Sequence, residues 1–228
     1  MNSPRRLLSR VLTSALAVCL LSSCVSPTTV TLEYQPRGGA WRGQPEINVG
    51  AFANKRGIDS RNLGRVKLFG GVPVQALFSS APVEMATANA FAYALKERNL
   101  LTGGDTAKFL LTGDVLVFDA GVMTRPYAHV RIRVNLIEMD SGRVLFTKMY
   151  HSDRSNEPMM PGKGGAVPVV TEMASRCLQD VVDRAVDDPE LRSRMRLRAQ
   201  MPMESEEGAG DEKLLYPKPK FKPNGGVI

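Results

Sequence analysis

Histidine is scarce in this chain, with two residues among 228, and cysteine nearly so, with three. His129 and His151 stand at no ligand spacing from a cysteine or carboxylate, which leaves no metal motif. No G-x-S-x-G elbow surrounds Ser79, Ser80 or Ser152, and no cysteine–histidine signature is present. Asp114 and Asp119 lie five residues apart on an expected strand, so they should point to opposite faces, which argues against a joint acid and base role. The Gly-rich piece PGKGGAVP lacks the order of a phosphate-binding loop, and Pro168 interrupts it. No internal repeat is visible. The formal charge is only +7, three units of which come from Arg5, Arg6 and Arg10, too mild a balance to argue for nucleic acid. These absences speak against an enzyme, a cofactor or a metal as the basis of function.

A long apolar run is missing too. Val11 to Leu21, broken by Thr13 and Ser14, falls well short of the ~20 residues that a membrane-crossing helix needs. Preceded by three arginines, it has instead the layout of a secretory signal peptide. Directly after it stands Leu21-Ser22-Ser23-Cys24, which resembles the bacterial lipobox. That resemblance implies cleavage after residue 23 and acylation of Cys24. Several acyl chains, at roughly 0.8 kcal/mol per buried CH₂, make a stable anchor where one chain does not. Val25 stands where lipoproteins retained at the inner membrane carry Asp, so by the same resemblance the destination is the outer membrane, periplasmic face. Cys177 is then the only mature thiol, and its apolar helical context reads as packing.

Residues 24–44 read as a tether of mixed Pro, Thr and Gly, able to reach ~60 Å from the lipid at full extension. An α+β domain is expected over 45–199. EINVGAFAN alternates as its first strand, and residues 55–81 form a long loop, basic at its front, in which RVKLF could be a short strand. A helix follows Pro82, with Met85, Ala88, Ala92 and Leu95 on an apolar stripe and Lys96, Glu97 and Arg98 toward water, ending at Gly103-Gly104. In the next strand Leu111, Gly113, Val115 and Val117 share one face. In the hairpin after it, His129, Arg131, Arg133 and Asn135 alternate with Val130, Ile132, Val134 and Leu136, the pattern of a sheet with one wet face. From about Val167 to Val186, apolar residues recur every three or four positions, the strongest helical signal present. Residues 200–228, rich in Glu and then in Lys and Pro, imply a disordered tail.

The order of elements predicts a two-layer α+β sandwich, a largely antiparallel sheet with two helices packed on one face. With the lipobox, INVGAFAN, FAYALKERNLL and FLLTGDVLVFDA, residues 45 to 190 resemble the small outer-membrane lipoproteins of the YajG and ABC-type transport auxiliary group, with the fold of the TolB N-terminal domain and of CsgG. The resemblance rests on pattern and element order and carries over no functional residue. The anchor, the wet sheet face and the missing catalytic constellation point to a lipid-anchored accessory module that works without catalysis, by contact with an envelope protein. The alternative, an auxiliary subunit binding lipid or another apolar ligand, draws on the apolar KLFGGVPVQALF. Beyond Cys24, the candidate residues for an anionic or protein partner are Lys55 and Arg56 with Arg131 and Arg133.

Overall fold

The sheet is organised around one long strand that changes neighbours halfway along. The structure, a computed structural model, describes residues 26–35, 44–67, 73–157 and 165–200. The expected signal segment, Cys24 and the tail beyond Gln200 lie outside the described residues. The described residues form seven strands: β1 (Ser26–Val30), β2 (Ile47–Asn54), β3 (Asn62–Lys67), β4 (Pro73–Ser79), β5 (Phe109–Val122), β6 (Pro126–Glu138) and β7 (Val144–Ser155). Three α-helices accompany them among the described residues: α1 (Val83–Glu97), α2 (Ala166–Val186) and α3 (Pro189–Gln200). The sheet runs β1-β4-β3-β5-β6-β7, and β2 pairs with β5 beside that path. Along β5, the first half pairs with β2 and the last residue, Val122, meets Val66 of β3.

This is the expected α+β sandwich. Its β3–β4 and β5–β6–β7 ladders are antiparallel, while β1 and β2 join in parallel, so the sheet is mixed. Helix α2 buries Val170, Met173, Ala174, Cys177, Leu178, Val181, Val182 and Ala185, the stripe that its spacing predicts. Each large aliphatic among them contributes roughly 1.5–3 kcal/mol by leaving water. The Cys177 thiol is fully buried and donates to the Ala128 carbonyl at 3.5 Å, and burial pushes its pKa up. It should therefore stay inert to a thiol reagent in the native protein and react at the rate of global unfolding, which a denaturant-dependent labelling time course checks.

Several expectations are corrected. Residues 26–35 are no tether: β1 pairs along its whole length with β4, and the chain then runs across α2. There Glu33 N donates to Ser175 Oγ at 3.1 Å, Gln179 Nε2 to the Gln35 carbonyl at 2.6 Å, and Tyr34 Oη to Asp183 Oδ1 at 2.7 Å. Ser175, Gln179 and Asp183 are four residues apart, one face of the helix. The long loop is also overturned, because β3 and β4 form an antiparallel hairpin within it and Leu77 is 1% exposed. Helix α1 ends at Glu97, ahead of Asn99 at φ 54°, and its stripe is rotated: Thr87, Ala90, Phe91, Ala94 and Leu95 are buried while Met85 is 56% exposed. In β5 a bulge between Val115 and Val117 turns Val117 off the core face and brings Phe118 onto it.

Candidate functional site

Helices α1 and α2 cover one face of the β5–β6–β7 sheet, and the other face is open. β6 buries Val130, Ile132, Val134 and Leu136 and turns its alternate residues outward, with Arg131 and Arg133 exposed. Register lays these out in rows from β5 through β6 to β7: Asp119–His129–Asp153, Val117–Arg131–His151, Asp114–Arg133–Met149 and Thr112–Asn135–Thr147. The same bulge that turns Val117 outward puts Asp114 and Asp119 on one face, correcting the expectation that they diverge.

Charge on this face is largely matched within rows. His129 Nδ1 lies 2.7 Å from Asp153 Oδ1, Arg133 Nη1 lies 3.4 Å from Asp114 Oδ2, and Thr147 Oγ1 donates to Asn135 Oδ1 at 2.9 Å. Burial raises the Asp119 pKa, and His129, Tyr127 and Arg56 pull it back. The side chains of Arg131 and Lys55 enter no hydrogen bond or ion pair among the described residues, and Met149, 54% exposed, lies beside Arg133. An unpaired cation, an arginine able to swing off a long 3.4 Å contact and an exposed thioether form a surface suited to a protein partner carrying carboxylates.

Of the four basic candidates, Lys55, Arg131 and Arg133 are presented to solvent, and Arg56 is not. Its guanidinium donates to the carbonyls of Asn62, Phe118, Asp59 and Ser60 at 2.6–3.1 Å and, through Nε, to Asn54 Oδ1 at 3.0 Å. It fills the gap where β5 has left β2 and has not yet met β3, and burial lowers its pKa. Arg56 is therefore structural. Arg56→Met should cost about 2–3 kcal/mol because it strands several carbonyls, whereas Lys55→Met should stay within about 0.5 kcal/mol, as urea unfolding would show.

The largest residue missed by sequence reasoning is Arg98, expected in water and found 1% exposed. Its Nε donates to Asp187 Oδ1 at 2.9 Å and its Nη2 to Asp187 Oδ2 at 2.8 Å, with Asp183 Oδ1 at 3.3 Å and the Ala94 carbonyl at 3.1 Å from Nη1. Tyr34 reaches Asp183 from the N-terminal segment and Arg192 reaches Asp187 from α3 at 2.8 Å. The signal was available: Arg98 stands seven, four and three residues after Phe91, Ala94 and Leu95, on the buried stripe.

Among the described residues no group of three or more His, Cys, Asp and Glu could hold a metal ion, and no helix is long and apolar enough to cross a membrane. No protein-family model matches the chain, and no curated protein sequence matches it. The fold does match solved structures. A Xanthomonas campestris protein of the DUF330 family is 15% identical, covering 76% of this chain and all of its own, at a TM-score of 0.59. PelC, a dodecamer from Paraburkholderia phytofirmans, is 13% identical over 64% of this chain and 92% of its own, at 0.36. A lipoprotein from Neisseria meningitidis is 11% identical over 57% and 96%, at 0.27. At such identities the likeness to the Xanthomonas protein is one of fold alone, and the other two are too distant to carry an argument.

Proposed function

We propose that this chain is a lipid-anchored accessory module of the bacterial cell envelope, held through Cys24 at the periplasmic face of the outer membrane. It acts without catalysis, by protein contact through the open β5–β6–β7 face. The lipobox resemblance supports the anchor. The observation that carries the contact surface is that face itself: strands 12 to 14 residues long, uncovered on one side, with unpaired Arg131 at the centre. Within this reading the chain serves an assembly of the kind that the ABC-type transport auxiliary lipoproteins serve, which is what its sequence resembles.

The apolar-ligand alternative loses support. Residues 73–78 of its motif lie in a sheet strand with Leu77 in the core, and Leu68 to Val72 lie outside the described residues. One groove, about 700 Å³ between residues 30–35 and α2, is lined by Val30, Val167 and Pro168 together with Glu33, Glu172 and Arg176, so charged and apolar side chains share it.

Two measurements test the proposal together. Intact mass of the protein from its own envelope should show acylated Cys24, and an unmodified thiol there would remove the anchor. Cross-linked purification should recover one stoichiometric envelope protein, lost in Arg131→Glu/Arg133→Glu with the melting temperature unchanged. Equal recovery from both forms would remove this face as the contact surface.

A further inference from the structure

A single anchor fixes one point of a protein and leaves its tilt free; the strand register identifies what could supply a second point. β1 begins at Ser26, two residues after Cys24. Two residues span at most ~7 Å. That is comparable with the ~5–8 Å polar layer on each side of a bilayer's hydrocarbon core. An acyl group on Cys24 therefore brings the first residue of the sheet to the headgroup level, with no tether between them.

One straight row crosses the sheet at that level. Ser26 pairs with Gln75, Gln75 with Val66, and Val66 with Val122. With strands ~4.8 Å apart, Val122 lies ~14 Å from Ser26 along this row. Immediately beyond it, on the side of the lipid, stand Lys67 at the end of β3 and the β5–β6 turn with Met123 and Arg125. Met123 is 58% exposed and Arg125 is also exposed, and Arg65 on β3 adds a third cation. Of the acids near this end among the described residues, Glu172 of α2, beside Ser155 and Asn156, is paired with Arg176, and Glu157 follows β7. The opposite end of the sheet carries Glu46, Glu138 and Asp140 with Lys108 and Arg143, a balance of the other sign.

We infer that the β5–β6 turn, with Lys67 and Arg65, is a second membrane contact: Met123 enters the interface while Arg125, Lys67 and Arg65 meet anionic phospholipid headgroups. The cations would lie within the ~10 Å range over which surface charge acts at 0.1 M salt. The contact stands the sheet with β5 rising from the bilayer, which puts the β6–β7 turn ~40 Å away and leaves the open face accessible along its length. This inference rests on the lipid anchor of the proposed function.

The test uses the full lipidated chain in vesicles containing phosphatidylglycerol and a headgroup-quencher lipid, with a fluorophore on Met123→Cys or, as the distant control, on Asp140→Cys. Cys177 is buried and does not compete for the label. Quenching should be several-fold stronger at position 123 than at 140, and Lys67→Glu/Arg125→Glu should remove most of that difference. Equal or reversed quenching in protein whose mass shows acylated Cys24 overturns the membrane contact alone. Unmodified Cys24 overturns the anchor and the contact with it, so the two failures are distinguishable.

Discussion

Replacing Arg98 by alanine should lower the free energy of unfolding by about 3 kcal/mol, a large share of the 5–15 kcal/mol that holds a typical domain together. The reason is the company it leaves behind. Asp187 loses both bonds of a fork-shaped pair, Asp183 keeps only Tyr34 of the partners described above, and the C-terminal ends of α1 and α2 lose the group that joins them. The cost falls at the low end for a broken buried pair because Asp187 is 39% exposed and Arg192 still reaches it. Arg98→Lys should recover only part of the loss, since an ammonium cannot make the two parallel bonds to Asp187. Acid gives an independent readout. The hydrogen bonds of Arg98 hold the Asp187 carboxyl below the usual carboxylate range, so its contribution is present above the unfolded value of about 3.9 and is lost as pH falls through the lower folded value. In Arg98→Ala that part of the acid sensitivity should disappear, which chemical denaturation at a series of pH values between neutrality and strong acid would reveal.

A second large effect is expected at Gly113. Phe52 of β2 stacks on Phe91 of α1, with ring centroids 5.1 Å apart and 14° between planes, and this pair ties the helix to the sheet. The ring of Phe52 lies directly over Gly113, where a β-carbon would stand 2.6 Å from Phe52 Cε1 and in collision with the Arg133 carbonyl. Backbone on one side and a packed ring on the other leave no relaxation within the strand. Gly113→Val should therefore destabilise by about 3 kcal/mol or more, at the upper end for overpacking, despite the higher strand propensity of valine. Thermal unfolding checks the size, and near-ultraviolet circular dichroism checks whether the aromatic stack is what gives way.

The contrast between these two positions shows what could be read in the sequence. Helix α2 was legible because eight of its ten buried positions, Val170 to Ala185, are small or apolar residues that repeat at one helical period. The outward placement of Arg131 and Arg133 was legible for the same kind of reason, the strict alternation of β6. Features that depend on a distant partner were not. Ser-Pro-Thr-Thr-Val has no alternation, and it becomes β1 only because β4 offers it a parallel edge nearly fifty residues later. The rows of the open face depend on the bulge at Val115–Val117, where one extra residue reverses every facing after it and brings Asp119 to the side of Asp114. Arg98 was hidden by residue type: its position repeats the buried stripe, but a guanidinium goes inside only where carboxylates wait, and Asp183 and Asp187 lie 85 and 89 residues further on.

The central claim, an anchored module that works through its open sheet face, is tested most directly by photocrosslinking in the native envelope. A photoreactive residue would replace Arg131 on that face or Tyr93 on the outer side of α1, which is also exposed, at 50%. The account predicts a single discrete adduct from position 131 and none from position 93. Adducts from position 93 alone, or the same adducts from both, would contradict it.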